Sequence, residues 1–348
     1  MNEVPLAAPT TNATNNDATE AASATMPAAR IMSSQRFADA FDRVVANIGR
    51  VIKGKDDVIR LALTAMLAQG HVLFEDLPGT GKTMLARAIA ASISAESSRV
   101  QCTPDLLPSD ITGSAVLERD TGTFKFRPGP VFTNVFLADE LNRATPKTQS
   151  SLLEAMAERR VTYDGVTHDL PKPFFVLATM NPIELAGTFP LPEAQLDRFL
   201  FKLSVGYADR EAEVDVLRAN AHHEAIDDLT AVIELDEVTE MMEWSTRVTV
   251  SDPILHYVTD IVQATRTDVT LQMGASTRAS LALVRAARVM AASQSRDDVL
   301  PDDVKVLVGA VLSHRMVLTP DAQLRDETIA AVIDRILHRV KVPMPSAR

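Results

Sequence analysis

The chain has 348 residues, of which 46% are hydrophobic, and its formal net charge is -11. This length and apolar content allow two folded domains of ordinary size. The acidic balance argues, though weakly, against attraction of nucleic acid by the overall charge, so no nucleic-acid partner is expected. Cys102 is the single cysteine, which excludes a disulfide within the chain and is typical of a reducing compartment.

The first 32 residues differ in composition from the rest. They are rich in Ala, Thr, Asn and Pro and poor in large apolar side chains, so they cannot bury enough surface to offset the entropy of ordering. We expect a disordered tail over 1–32, although a processed or partner-binding segment would look similar. The tail lacks the pattern of a secretory signal, and no apolar run approaches the ~20 residues that span a bilayer. No membrane segment and a cytoplasmic location are therefore expected.

A strand, a Gly-rich loop and a helix follow one another early in the chain. Apolar residues at helical spacing predict a helix over 56–69, and Gly70 stands where a helix C-terminus favours glycine. A short apolar strand over 71–75 comes next. It leads through a Gly/Pro loop into a helix that begins near Lys82.

Strand signals continue to alternate with helix signals up to about residue 203. Short buried strands are predicted at 135–138 and 174–179, with a helix at 147–158 between them. This alternation predicts a parallel sheet with crossover helices, an α/β fold. Strand signals then fade, and amphipathic stretches predict a separate all-helical domain with helices over 253–267, 276–292, 301–318 and 324–340.

Residues 76–83, Asp-Leu-Pro-Gly-Thr-Gly-Lys-Thr, closely match the P-loop pattern of nucleotide-binding proteins. In such a loop, backbone N–H groups and a helix N-terminus surround the phosphate oxygens, and glycines give the backbone the unusual dihedral angles it needs. Lys82 would neutralise the β- and γ-phosphates, and Thr83 would ligate Mg²⁺. The predicted nucleotide-binding residues are Pro78, Gly79, Thr80, Gly81, Lys82, Thr83 and Met84.

One position of this loop departs from the pattern. Asp76 stands where the pattern has its first glycine, and a carboxylate there would repel phosphates unless it points away. The departure leaves the nucleotide affinity open. A Gly-rich turn that caps a helix by chance is the alternative interpretation, but the strand and helix on either side favour the P-loop.

The predicted strand at 135–138 ends in two carboxylates, Asp139 and Glu140. Ligands of open α/β sheets bind at the carboxyl ends of the strands, so both side chains should lie beside the P-loop. Asp139 would hold Mg²⁺ through its hydration shell, and Glu140 would act as the general base for the attacking water. Acidic residues at a strand end are common, and the P-loop about fifty residues earlier makes this pair specific. ATP and Mg²⁺ are the expected ligands.

The segment 139–144 reads Asp-Glu-Leu-Asn-Arg-Ala, and the segment 146–156 reads Pro-Lys-Thr-Gln-Ser-Ser-Leu-Leu-Glu-Ala-Met. Together with the segments 174–184, 189–199 and 274–283, these motifs resemble those of the MoxR family of AAA+ ATPases. The resemblance covers the chain from about residue 52 to the C-terminus. The resemblance implies a P-loop core over 33–206, an all-helical lid domain over 207–348, and ATP hydrolysis.

The resemblance also implies roles for three further residues. Asn181 stands at the position of the sensor-1 amide, which hydrogen-bonds the γ-phosphate or the attacking water, although Asn-Pro could simply form a turn. Arg198 is similar to the arginine finger that reaches the nucleotide of the neighbouring subunit. Its alternative is a salt bridge at a helix end. Arg278 resembles sensor 2 of the lid, and whether it serves its own or a neighbour's nucleotide stays open.

Two insertions typical of the clade are also present. The segment 102–132, which contains Gly122, resembles an insertion in the second helix of the core. The segment 159–168 predicts a hairpin that turns at Asp164-Gly165. In related motors such protrusions contact substrate, and an ordinary surface hairpin is the alternative.

The resemblance therefore implies an ATPase that acts as a homo-oligomeric ring, expected to be a hexamer, on a protein client. Family analogy adds a chaperone-like role in complex maturation, with a partner protein that carries a von Willebrand A domain. A nucleic-acid motor and a non-hydrolysing ATP-gated scaffold are the alternatives. His222-His223 is interpreted as solvated surface rather than a metal site, and Trp244 as packing.

Overall fold

The computed structural model describes residues 32–76, 79–120, 122–182, 187–208, 210–219 and 225–343. The predicted tail lies outside the described residues except for Met32, as do Pro78 and His222-His223. Helix α1 (Ser34–Gly49) begins where the Ser33 side chain accepts a hydrogen bond from the Arg36 backbone N–H. This N-cap satisfies one of the amide groups that a helix start leaves without a partner.

A five-stranded sheet, parallel throughout, forms the centre of the core and confirms the predicted α/β class. Its strands are β1 (Val72–Glu75), β2 (Ser97–Gln101), β5 (Val135–Asp139), β8 (Phe175–Met180) and β9 (Phe201–Leu203). Their order along the sheet is β2, β5, β8, β1 and β9. Since all five run the same way, their carboxyl ends meet at one edge, which is where the predicted site residues follow β1, β5 and β8.

Alternate residues of the strands enter two separate hydrophobic clusters, one on each face of the sheet. Phe74 of β1 and Leu137 of β5 join one cluster, whereas Leu73 and Phe136 join the other. Because side chains alternate across a strand, a continuous apolar strand buries both faces. Helices cover both sides: α1, α2 (Asp56–Leu67) and α3 (Lys82–Ser92) contribute to the first cluster, and α5 (Pro146–Glu158) to the second.

Two antiparallel hairpins project from this core. The first consists of β3 (Gly113–Glu118) and β4 (Thr123–Pro128), and it follows the short helix α4 (Pro108–Thr112). The second pairs β6 (Arg160–Tyr163) with β7 (Val166–Asp169) and turns at Asp164-Gly165, as the sequence predicts. Helix α6 (Glu193–Leu196) then precedes β9.

The lid is helical, as predicted, with one short antiparallel strand pair that the sequence did not indicate. Its helices are α7 (Arg210–Ala219), α8 (Leu235–Ser245), α9 (Asp252–Thr267), α10 (Thr277–Ala292), α11 (Pro301–Leu312), α12 (Pro320–Leu324) and α13 (Ile329–Arg339). The strand pair joins β10 (Leu271–Met273) to β11 (Val317–Leu318). Among the described residues, no helix is long and apolar enough to cross a membrane.

Two predicted lid helices are longer than the helices of the structure. The helix expected over 301–318 ends at Leu312, because a 3-10 turn over Ser313–Arg315 and strand β11 follow it. The helix expected over 324–340 is divided into α12 and α13. Asp326, which lies between these two helices, has a left-handed φ of 56°, a conformation that an α-helix cannot continue through.

Candidate nucleotide-binding site

The loop between β1 and α3 has the geometry of a phosphate cradle. Gly79 and Gly81 have φ angles of 81° and 87°, in the left-handed region that favours glycine. A Cβ atom built on either glycine would meet no atom within 4 Å, so the space above the loop is open. Helix α3 begins directly at Lys82, so its N-terminal amides and its positive dipole end face this space.

Lys82 extends across the loop that precedes it. Its Nζ donates to the backbone oxygen of Asp76 (3.5 Å) and to Thr80 Oγ1 (3.3 Å). Burial lowers the pKa of the Lys82 ammonium, whereas the carboxylates of Asp76, Asp139 and Glu140 act in the opposite direction. The carboxylates favour the charged form of the lysine that would meet the phosphates.

Asp139 ends strand β5, which is separated from the P-loop strand β1 only by β8. Its Oδ1 accepts a hydrogen bond from Thr179 Oγ1 of β8 (2.6 Å), and its Oδ2 accepts one from Arg99 Nη2 of β2 (2.7 Å). Two neighbouring strands therefore fix the orientation of this carboxylate.

Glu140 adopts a left-handed backbone conformation with a φ of 55°, which is uncommon for a residue other than glycine. Its backbone N–H donates to Thr179 Oγ1 (2.8 Å), which helps to hold this conformation. The side-chain Oε2 accepts from Gln101 Nε2 (2.8 Å) and from Arg143 Nη1 (3.0 Å). Local strain of this kind is found at functional sites whose surroundings hold it in place.

The cradle and the carboxylates line one cavity of about 450 Å³. Asn181, which follows β8 and is 8% exposed, lies in the same lining. A second cavity of about 410 Å³ shares Gly79, Thr80, Gly81 and Met84 with the first. Its other lining residues are Val51, Ile52, Lys53, Lys55, Gly206, Tyr207, Ala208, Glu213 and Val216. The glycine loop thus borders both cavities, of which the first is lined mainly by polar and charged residues and the second also by several apolar ones.

Asp76, whose effect the sequence left open, lines the first cavity, but its carboxylate oxygens are hydrogen-bonded to the segment after β9. The residue is 7% exposed, and its carboxylate accepts hydrogen bonds from Ser204 Oγ (2.7 Å) and from the backbone N–H groups of Val205 and Gly206. These residues directly follow β9. The repulsion considered from the sequence is reduced, because three donors already compensate the charge.

Arg198 and Arg278 do not line either cavity of the described chain. Arg198 is exposed and donates through Nη1 to the backbone oxygen of Leu153 (2.8 Å). Arg278 lies near Asp197, the residue that precedes Arg198, and its Nη1 is 3.8 Å from Asp197 Oδ2. The two arginines therefore belong to one surface region around Asp197, outside the lining of both cavities.

The two hairpins are joined by aromatic contacts. The Phe126 ring of β4 stacks on the His168 ring of β7 with 4.2 Å between centroids, and it lies 5.5 Å from the Tyr163 ring. Beyond this cluster the hairpins expose large apolar side chains, including Phe124 at 72% and Val166 at 57%. The insertion predicted over 102–132 and the hairpin predicted over 159–168 thus form one protrusion.

Four site residues were missed from the sequence: Arg99, Gln101, Arg143 and Thr179. Arg99 and Gln101 lie on β2, whose polar composition gives no strand signal. Arg143 lies in the segment 139–144, whose resemblance to the family gives this residue no role.

Cys102, the single cysteine, is 0% exposed, and burial together with Asp139 and Glu140 raises the pKa of its thiol to about 12. Among the described residues, no group of three or more His, Cys, Asp or Glu side chains forms a metal-binding cluster.

Comparison with protein families identifies both parts of the chain. Residues 71–201 match the model of the ATPase family associated with various cellular activities (AAA). Residues 263–336 match the model of the AAA lid domain. These two matches agree with the parallel-sheet core and with the helical lid, respectively.

Similar proteins share most of the length of the chain. Uncharacterized protein YeaC of Bacillus subtilis is 48% identical over 302 residues, 87% of this chain and 94% of the relative. Chaperone MoxR1 of Mycobacterium tuberculosis is 39% identical over 88% of this chain and 83% of its own. Protein MoxR of Paracoccus denitrificans is 33% identical over 88% and 96%, respectively.

A solved structure has the same fold over nearly all of its length. The crystal structure of a candidate ATPase from Cytophaga hutchinsonii superimposes with a TM-score of 0.84 at 36% identity, and it covers 89% of this chain and 97% of its own. The agreement of sequence, core, lid and P-loop geometry leads to one assignment. The chain belongs to the MoxR family of AAA ATPases.

Proposed function

We propose that this protein binds Mg-ATP and hydrolyses it to ADP and phosphate. The observation that carries the proposal is one cavity in which the glycine loop, Lys82, Asp139 and Glu140 meet. Phosphate oxygens need several N–H donors at close range together with a positive charge, and the loop, the α3 N-terminus and Lys82 supply both. The adjoining cavity, lined by Ile52, Met84 and other apolar groups, suits a nucleoside.

Thr83 and Asp139 are the residues that would hold Mg²⁺. Hydroxyl and carboxylate oxygens are the hard ligands this ion prefers, and both residues line the same cavity. Thr179 orients the Asp139 carboxylate, and such outer-sphere contacts tune a metal site. When bound, the ion would offset the charge on the β- and γ-phosphates.

Glu140 would activate the attacking water as general base. Its carboxylate is held beside the cradle by Gln101 and Arg143, so only a local change of these hydrogen bonds is needed for it to orient a water. Asn181 would hydrogen-bond the γ-phosphate or that water from the end of β8. Lys82 would stabilise the charge that develops on the leaving β-phosphate.

Arg198 would complete the site from a neighbouring subunit, so the active form would be a homo-oligomeric ring, most simply a hexamer. The placement of Arg198 outside both cavities of its own chain supports this role. Arg278, in the same surface region, would also serve a neighbour's nucleotide rather than its own. A guanidinium group stabilises phosphoryl-transfer charge through its planar set of donors.

The double hairpin would contact a protein client in the cytoplasm. Its exposed apolar side chains support this proposal, because such side chains clustered on a protrusion are typical of interaction sites. One relative is named a chaperone, which agrees with a protein client. A partner with a von Willebrand A domain remains a proposal from family analogy.

The nucleotide assignment is tested with Lys82→Ala. We expect this variant to lose tight ATP binding, measured by isothermal titration calorimetry, because the phosphate charge loses its main counter-charge. Lys147→Ala, which removes an exposed lysine at the start of α5, is the matched control and should bind like the wild type. Retained micromolar binding by Lys82→Ala would overturn the assignment.

The role of Arg198 is tested by mixing two inactive variants. Arg198→Ala subunits keep Glu140, and Glu140→Gln subunits keep Arg198, so mixed rings should regain some ATP hydrolysis at interfaces that combine both intact groups. Mass spectrometry would establish co-assembly. Absence of hydrolysis in proven mixed rings would contradict action across subunits, and stimulation of the wild type by DNA would favour a nucleic-acid motor.

A further inference from the structure

The Asp76 carboxylate connects the start of the P-loop to the segment between core and lid. Its three donors are Ser204, Val205 and Gly206, about 130 residues further along the chain. The carboxylate is buried, and hydrogen bonds to a charged acceptor are stronger than those between neutral groups. The contact therefore fixes the backbone of the segment that follows β9.

That segment forms one wall of the second cavity. Gly206, Tyr207 and Ala208 line the cavity together with Ile52 and Met84. Gly206 has a left-handed φ of 64°, which turns the chain into this wall. Lys55, which lines the same cavity, donates through Nζ to the backbone oxygen of Tyr207 (2.7 Å). Two charged side chains, Asp76 and Lys55, thus hold the wall in place.

On the phosphate side, the Asp76 carboxylate favours the charged form of Lys82, but Asp139 and Glu140 act in the same direction and would remain if Asp76 were replaced. Gly79 and Gly81 obtain their backbone geometry without a Cβ atom, and α3 supplies the amide donors. Lys82 contacts the backbone oxygen of Asp76, which any residue at this position would provide. Loss of the carboxylate would therefore disturb the wall of the second cavity more than the cradle.

We infer that Asp76 is a positioning residue for nucleobase and ribose recognition, and that it acts through the segment 204–208 rather than on the phosphates. The inference rests on the proposed ATP site. It explains why a carboxylate can replace glycine in a phosphate-binding loop, since its charge is directed at the chain that leads into the lid. Because α7 follows this segment, the same contact also connects the first residue of the P-loop pattern to the start of the lid.

The experiment compares two probes, ATP and inorganic tripolyphosphate, by calorimetry with Mg²⁺ present. The wild type should bind ATP more tightly than tripolyphosphate, because only ATP occupies the second cavity. In Asp76→Asn and Asp76→Gly, ATP binding should weaken roughly 10- to 100-fold, the range for lost hydrogen bonds to a charged group. Tripolyphosphate binding should stay within about 2-fold of the wild type, since the cradle is unchanged.

Two further variants sharpen the comparison. Ser204→Ala removes one of the three donors and should weaken ATP binding in the same direction but less. Glu75→Gln removes the neighbouring carboxylate, which is paired with Lys202, and should change neither affinity. The Asp76→Gly variant is informative because it restores the common P-loop sequence and is still expected to bind ATP less well.

Each result decides a separate question. Parallel loss of ATP and tripolyphosphate binding in the Asp76 variants would overturn the inference, because it would place the effect in the cradle itself. Unchanged ATP affinity in both variants, or stronger tripolyphosphate binding in Asp76→Asn, would also overturn it. Failure of the wild type to bind either probe would instead remove the proposed nucleotide site, and the inference with it.

Discussion

Two lid arginines meet the same carboxylate, Asp197, in very different surroundings. Arg315 is 4% exposed in its side chain, and its Nε lies 2.6 Å from Asp197 Oδ1. Its Nη groups also donate to the backbone oxygens of Asp197, Phe199 and Leu200. Arg278 is 75% exposed and lies 3.8 Å from the same carboxylate. The same carboxylate thus forms a buried contact with Arg315 and an exposed contact with Arg278.

The buried contact should dominate the stability of the core–lid junction. Replacement of Arg315 by Met would leave a largely buried carboxylate and several carbonyl groups without their donor, at a cost of about 3–5 kcal/mol in the free energy of unfolding. Arg278→Met removes only an exposed pair, for which about 1 kcal/mol or less is expected. The difference arises from burial and from the number of donors, since the residue types are the same.

Urea unfolding followed by circular dichroism measures both variants against the wild type. Asp197→Asn combined with Arg315→Met should cost less than the sum of the two single changes, because the double variant leaves no unpaired buried charge. Equal losses for Arg315→Met and Arg278→Met would refute the reasoning. The result also bears on function, because the segment that Arg315 holds carries Arg198, the proposed arginine finger.

Two further predictions concern the core. Gly70→Ala should destabilise the fold by roughly 1–3 kcal/mol, because the new Cβ would overlap the Leu200 side chain. Gly309→Ala, in an open part of α11, should stabilise the fold slightly. Equal urea midpoints for the two variants would contradict the close contact between Gly70 and Leu200. Burial lowers the pKa of His71 to about 4, below its ordinary 6.5, so the unfolded chain binds the proton more readily between these values. The free energy of unfolding should therefore fall as pH drops from 6.5 towards 4, and the His71 contribution should then level off. His71→Gln should reduce this dependence of the unfolding free energy on pH, measured by urea titrations. An unchanged pH dependence in the variant would contradict a buried neutral imidazole.

The parts of the fold that the sequence predicts are those with a strong local signal. The apolar strands β5 and β8, the turn at Asp164-Gly165 and the amphipathic helices α9 and α10 lie where their patterns place them. Strand β2 was not predicted, because Ser, Arg and Gln alternate with few apolar residues at this sheet edge. Its partner β5 supplies the hydrogen bonds that hold it, and sequence patterns do not contain that information.

The candidate site likewise has a part that the sequence predicts and a part that it does not. The glycine loop, Lys82 and the carboxylates after β5 could be predicted because the motif fixes their spacing and the parallel sheet places them at one edge. The orientation of Asp76 could not, because its donors lie about 130 residues away. Gln101, which holds Glu140, was missed for the same reason as the strand that carries it.

The central claim, that the protein binds and hydrolyses ATP with Glu140 as the general base, is tested most directly by phosphate release from wild-type and Glu140→Gln protein. ATP binding is measured on the same samples, with Mg²⁺ present and at protein concentrations that favour assembly. The wild type should bind ATP and release phosphate. Glu140→Gln should bind ATP with similar affinity and release phosphate at least ~100-fold more slowly, as expected for loss of a general base. A wild type that neither retains nor cleaves ATP, or a Glu140→Gln variant that hydrolyses it at the wild-type rate, would contradict the account.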